Sequence, residues 1–153
     1  MNTTPIKIIS INKKAKFEYQ VIDSYEAGIV LLGTEVKSIR AGHITLKEGY
    51  SRVIDDELWL IGAHISEYKQ GNQFNHEVRR NRKLLLHKKE LRKIHSEVKE
   101  KGITLVPLKV YLKKGRIKIE IGLCKGKQTH DKRETIKKRE QEREINRVTK
   151  EYR

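Results

Sequence analysis

A chain of 153 residues accommodates one domain and an appendage, and its formal net charge of +15 points to a polyanionic partner, nucleic acid before anionic membrane. The single cysteine, Cys124, excludes an internal disulfide. No run approaches the ~20 apolar residues of a transmembrane helix, and Met1 to Pro5 carry no secretory signal pattern, so the expected compartment is the cytoplasm.

Phe17-Glu18-Tyr19-Gln20-Val21-Ile22 alternates and then runs apolar, which predicts a strand. Ala27 to Leu32 is a continuous apolar run ending at Gly33, which predicts a buried strand. Thr34 as N-cap, Glu35 in the first turn, Val36 and Ile39 three apart and Gly42 as a stop predict a short helix. Tyr50 to Ile54 and Leu58 to Ala63 flank Asp55-Asp56-Glu57 as a hairpin. Gln70 to Asn81 is polar and reads as a mobile loop. From Lys88 to Lys101, Leu91, Ile94, His95 and Val98 fall at helical spacing, an amphipathic helix ended by Gly102. Two strands follow, Thr104 to Leu112 and Arg116 to Leu123, joined by Lys113-Lys114-Gly115. Ile117, Ile119 and Ile121 define the core face of the second; Pro107 marks an edge or a bulge in the first. Cys124, ending an apolar strand, reads as a small core residue. Short antiparallel strands with few helices predict a mainly β fold, an oligonucleotide-binding-like barrel over residues 1–124.

Residues 125–153 differ in kind. From Cys124 to Arg153 there are eleven Lys or Arg and six Asp or Glu, with only Ile136, Ile145, Val148 and Tyr152 as sizeable apolar residues. Four such side chains cannot offset the entropy of ordering so long a segment. Its Glu, Lys, Arg and Gln content nevertheless favours a helix once a partner holds it. Asp131 as N-cap, with Glu134 completing a capping box, would start that helix. Arg139, Arg143 and Arg147 then recur at i, i+4 and i+8 as a cationic stripe in reach of successive phosphates.

Residues 1–124 are basic as well, with 24 Lys or Arg against 14 Asp or Glu. Basic clusters fall at Lys13, Lys14 and Lys16, at Arg79 to Lys83 and at Lys113 to Lys118. Phe17, Tyr19, Tyr25 and Tyr68 offer stacking faces or fill the core. There is no phosphate-binding glycine loop and no nucleophile elbow. The six histidines lack metal-ligand spacing, so no cofactor or metal is expected. His76 and His87, flanking a basic stretch, read as RNA-contacting or solvated.

Six strings in register carry a resemblance: Glu26-Ala27-Gly28-Ile29; Gly33 to Gly42 (GTEVKSIRAG); Gly71-Asn72 with Asn75-His76; Arg82 to His87 (RKLLLH); Gly102 to Leu108 (GITLVPL); and Lys125-Gly126-Lys127 with His130-Asp131-Lys132-Arg133. Together they resemble the bacterial SsrA-binding protein (small protein B) family from about Ile11 into the tail. The resemblance implies an antiparallel barrel with flanking helices, and a tail that is disordered when free and helical when bound. It implies binding to the tRNA-like part of transfer-messenger RNA (tmRNA, or SsrA RNA). It implies delivery, with alanyl-tRNA synthetase and elongation factor Tu, to stalled ribosomes for trans-translation, without catalysis.

Carried over residue by residue, the resemblance puts Asn12, Glu26, Leu85 and Lys118 on the RNA-binding face, with Lys13 and Lys83 as phosphate neighbours. It puts His130, Asp131, Lys132 and Arg133 in the ribosomal decoding centre. Ile136 onward, with Arg139, Arg143 and Arg147, would lie in the empty mRNA channel. Gln128 replaces a common Lys, Glu67, Val78 and Asn81 replace common loop prolines, and Glu48-Gly49-Tyr50 stands where Asp-Ser-Tyr is usual. The main competing expectation is a general basic RNA-binding or ribosome-assembly protein of barrel type; an RNase using His130 and Asp131 and a membrane module are weaker ones.

Overall fold

The computed structural model describes residues 5–70, 75–100, 102–127 and 136–145. In chain order the elements are β1 (Ile6–Ile11), α1 (Lys13–Glu18), β2 (Tyr19–Ile29), α2 (Gly33–Arg40), β3 (Ile44–Thr45), β4 (Tyr50–Ile54), β5 (Glu57–Ile61), β6 (His64–Ile65), β7 (Arg82–Leu85), α3 (Lys88–Glu97), β8 (Ile103–Lys113) and β9 (Arg116–Gly126). Residues 136–145 are helical.

The main sheet runs β1-β8-β4-β5-β7-β2-β9, and β9 pairs back onto β8, so that the strands from β8 to β9 close on themselves. Closure removes the edges that a small open sheet would leave exposed. One half of β8 meets β4 at Ser51↔Leu105; the other half carries β1 from Lys109 to Lys113. β3 and β6 form a separate two-stranded ladder. Inside the barrel lie Ala27, Leu58, Leu60, Leu84, Val110, Ile119 and Ile121, closed over by Ile39 of α2 and Ile94 of α3. Each is nearly or fully buried, and loss of one large member costs about 2–5 kcal/mol.

A second cluster lies on the outer face of the sheet, where α1 packs Ala15 against Val106, Leu108 and Cys124 beside Tyr19. Gly122 leaves the space for this packing, since a Cβ there would stand 2.7 Å from Leu108 Cδ1. Burial pushes the Cys124 thiol up to about 11, in keeping with a packing role.

Several elements differ from the sequence expectation. Phe17 and Glu18 belong to α1, not to a strand. Asn12 caps that helix, its Oδ1 accepting from Ala15 N–H at 3.1 Å, and the cap overrides the local alternation. The two expected strands from Phe17 to Leu32 are a single 11-residue β2, which runs through Asp23-Ser24 without a break and carries a register shift between Val21 and Asp23. Both hairpin turns are tighter than expected. Asp55-Asp56 (φ 50° and 61°) and Lys114-Gly115 (φ 52° and 73°) are two-residue turns of the type I′ kind, so Glu57 and Lys113 belong to strands. α2 begins at Gly33 after an N-cap at Leu32, whose N–H donates to Glu35 Oε1 at 2.8 Å; Thr34 is therefore inside the helix. The bulge anticipated at Pro107 is present.

Gly62 has φ +78°, and a Cβ there would meet Glu48 O at 2.7 Å. Gly62→Ala is expected to cost about 2 kcal/mol, measured as a fall in the urea midpoint at constant slope.

Candidate RNA interface

α1 covers only one end of the sheet's outer face. Toward the other end the register runs Tyr111↔Lys118 between β8 and β9, Lys118↔Gly28 between β9 and β2, and Gly28↔Leu85 between β2 and β7. One row across four strands thus carries a phenol, an ammonium, a bare glycine and an apolar side chain. Glu26, two residues before Gly28, shares its face because Tyr25 and Ala27 both turn into the core.

The row opens into a groove of ≈ 440 Å³ lined by Glu26, Gly28, Leu85, Leu86, His87, Glu90 and Lys118. Glu26, Leu85 and Lys118, expected from the sequence to share a face, are together here. Leu85 is 50% exposed, which excludes an ordinary core role, and a Cβ at Gly28 would stand 3.4 Å from the Leu85 Cβ. Leu85 therefore lies against backbone, with its outer side in solvent.

Glu26 is held rather than free. Its Oε2 accepts from the Tyr111 hydroxyl, and both its oxygens lie 3.3 Å from Lys113 Nζ. The Tyr111 hydrogen bond, against an opposing effect of burial and with help from Lys113 and Lys118, holds the Glu26 carboxyl below the usual carboxylate range. Burial and the neighbouring Glu26 carboxylate raise the Tyr111 phenol, so the tyrosine stays a donor at neutral pH.

Lys83 lies on β7 two residues before Leu85, its ammonium 2.9 Å from Glu57 Oε1. Both side chains are about 40% exposed, and such a pair is worth under about 1 kcal/mol, so Lys83 exchanges readily onto a phosphate. Asn12 lies elsewhere. It is 5% exposed, and its amide donates to Pro107 O at 2.9 Å and Leu46 O at 3.3 Å while its oxygen caps α1. The next residue, Lys13, is exposed, as are Lys14 and Lys16 on the same helix. The expected RNA-binding residues thus divide between the groove and α1.

Some expected contacts are structural instead. In the stretch Arg79 to Lys83, Arg82 is fully buried and ion-paired to Glu35 at 2.6 Å. His76 is buried between Thr34 Oγ1 and Ile65 O, both at 2.9 Å. Tyr25 is in the core and Tyr19 supports α1. The ring of Phe17 faces the Arg139 guanidinium at 5.7 Å, and that of Tyr68 faces Lys37 Nζ at 5.3 Å. Conversely, Tyr111 was not foreseen at the site: between Val110 and Leu112 it reads as core. Of the tail, Ile136, Arg139 and Arg143 are exposed on the described helix, while His130, Asp131, Lys132, Arg133 and Arg147 lie outside the described residues.

Comparison with known proteins bears on the family and the fold. The family model of SmpB protein matches residues 9–151. The SsrA-binding protein of Limosilactobacillus fermentum is 57% identical over 145 residues, spanning 95% of this chain and 92% of that protein. The SsrA-binding protein of Thermosynechococcus vestitus is 51% identical over 146 residues, spanning 95% and 96%. A chain from a solved structure concerned with tmRNA-SmpB and the bacterial ribosome superposes with a TM-score of 0.67 at 45% identity, covering 78% of this chain and 85% of that one. A closed antiparallel barrel with short helices, a basic surface and these matches along nearly the whole length lead to one assignment: the chain belongs to the SmpB family of SsrA-binding proteins.

Proposed function

We propose that this chain binds the tRNA-like part of tmRNA through the groove of Glu26, Leu85 and Lys118 and carries it to stalled ribosomes in the cytoplasm for trans-translation. One observation carries the reading: three side chains of different chemistry line one open groove on a basic barrel. Lys118, and Lys83 two residues before Leu85 on β7, supply phosphate contacts that position the RNA. Leu85 is an apolar seat for an unstacked base. Glu26 is a poor phosphate contact, but its carboxylate accepts from base amino groups and so supplies selectivity. Asn12 serves by fixing α1, which presents Lys13 to the backbone. The tail, from His130 to Arg133 and onward through Ile136, Arg139, Arg143 and Arg147, occupies the decoding centre and the empty mRNA channel. Alanyl-tRNA synthetase and elongation factor Tu act on the same RNA. The protein acts by binding and mimicry, without chemistry of its own.

The test is a gel-shift titration of labelled tmRNA against excess competitor tRNA at near-physiological salt. Tight, competitor-resistant binding is expected. Glu26→Ala should weaken tmRNA binding about tenfold and leave bulk tRNA binding nearly unchanged, as loss of a base contact does. Equal losses on both RNAs, or competition by tRNA at parity, would reduce the chain to a general basic RNA binder, because phosphate contacts alone carry no sequence information.

A further inference from the structure

We propose that Tyr111 is a positioning residue that sets the selectivity of the RNA groove by holding the Glu26 carboxylate in its receiving orientation. The inference rests on the proposed role of Glu26 and adds the device that makes that role possible. Tyr111 is on β8 and Glu26 on β2, with β9 between them. Neighbouring strands stand ~4.8 Å apart, so the hydrogen bond spans two strand spacings, a gap that a tyrosine and a glutamate bridge when they lean toward each other. The bond passes beside Lys118, which is paired with Tyr111 on one side and with Gly28 on the other.

The surroundings show why a holder is needed. Glu26 is faced by Tyr111 and Lys113 from β8 and by Lys118 and Glu120 from β9, with His87 and Glu90 along the same groove. Glu120, directly opposite Glu26, is drawn away by Lys109 at 3.6 Å. Glu26 is 37% exposed, and a glutamate so placed among lysines would otherwise sample several rotamers. Tyr111 removes that freedom. It is 4% exposed, its ring carries the Lys109 ammonium at 5.6 Å, and its hydroxyl donates to Glu26 Oε2. A carboxylate has about four acceptor sites. Tyr111 and Lys113 use part of that capacity on one side, and the remainder is presented to the groove. Binding RNA then orders no glutamate rotamer, a saving that the cognate RNA alone exploits.

The experiment is a double-mutant cycle of Tyr111→Phe and Glu26→Ala on the full chain, read by binding to tmRNA and to bulk tRNA between about pH 3 and 7, a window that spans the carboxylate range. Tyr111→Phe keeps the ring and removes the donor. It is expected to weaken tmRNA binding about tenfold with tRNA affinity unchanged, and to have no further effect in the Glu26→Ala background, where no acceptor remains to be held. The pH profile gives a signature that a packing defect would not. Binding requires the ionised Glu26, so it fades as pH falls through the Glu26 pKa, and removing the Tyr111 donor moves that limb to higher pH. Unchanged tmRNA affinity in Tyr111→Phe, or an equal loss in the Glu26→Ala background, would overturn the proposal. If Glu26→Ala itself leaves tmRNA binding intact, the reading of the groove fails instead, and the two failures are distinct. Should Tyr111→Phe not fold, NMR of the Tyr111 hydroxyl proton in the native protein decides: a slowly exchanging, downfield resonance supports the hydrogen bond to Glu26, and a freely exchanging hydroxyl overturns the hold.

Discussion

Glu35→Gln is expected to destabilise the protein by about 3–5 kcal/mol, a large part of the 5–15 kcal/mol available to a domain of this size. Glu35 and Arg82 both have fully buried side chains, joined Nε to Oε2 at 2.6 Å. Arg80 Nη2 donates to the other carboxylate oxygen at 2.5 Å, and Leu32 N–H donates to it at 2.8 Å. The remaining Arg82 donors reach Ala63 O at 2.9 Å and Val78 O at 3.1 Å. The pair thus ties α2, the loop before β7 and β7 itself to one point. Removing the carboxylate strands a guanidinium that cannot shed its proton. Arg82→Met should cost less, since Arg80 and proton uptake both relieve Glu35. Replacing both partners with apolar residues should recover much of the loss, because a buried pair and a well-packed apolar pair differ little. Burial opposes ionisation of Glu35, but donation from Arg80, Leu32 N–H and Arg82 outweighs it and lowers the carboxyl. A lowered folded-state value stabilises above the unfolded carboxylate range near ~4.3 and is lost as pH falls through the folded value. The difference between wild type and Glu35→Gln in urea should therefore be full at pH 6–8 and shrink in acid. A cost under ~1 kcal/mol at neutral pH would mean that the pair is dispensable. A cost of the expected size should also lower tmRNA affinity, since β7 begins at Arg82 and carries Lys83 and Leu85.

That same pair shows where the sequence stopped being legible. Alternation along β9 gave Ile117, Ile119 and Ile121 as its core face, and the structure buries the last two completely and packs the first against them. Leu91 and Ile94 likewise gave the inner face of α3, although His95, in phase with them, is exposed. Periodicity works here because one face of each element is wet. It fails where a polar residue is buried by long-range partners: Arg82 needs Glu35 47 positions away, and His76 needs Thr34 42 positions away. β1 was missed because Ile6, Ile8 and Ile11 are all substantially exposed on an added strand, so burial imposes no alternation. For the site, the resemblance supplied Glu26, Leu85 and Lys118, and only the register brought them into one groove. Tyr111 had no signal, since a tyrosine in an apolar strand looks the same whether its hydroxyl meets water or a carboxylate.

Truncation after Arg133 is expected to leave tmRNA affinity within about twofold and to abolish peptide tagging on stalled ribosomes. The groove is built entirely from residues between Glu26 and Lys118. The chain leaving β9 is secured before the cut, with Lys127 N–H donating to Glu18 O at 2.9 Å and Lys127 Nζ to Lys16 O at 3.0 Å. Beyond it, Arg139 over the Phe17 ring joins the helix at 136–145 to α1, and an exposed cation–π contact is worth only about 0.5–1 kcal/mol. The cut removes seven Lys or Arg and five Glu, so the net charge barely changes. Diffuse attraction to RNA is therefore preserved, and a loss of tagging would have to come from what the tail does locally. Arg139 and Arg143 stand one helical turn apart, about 6 Å, which suits consecutive phosphates lining a channel. Charge reversal at both positions in the full-length chain should reproduce the tagging defect with tmRNA binding retained, since neither residue lines the groove. A tenfold or greater loss of tmRNA affinity on truncation would instead make the tail part of the tmRNA site, and the division of labour between a packed barrel and a polyanion-seeking arm would have to be abandoned.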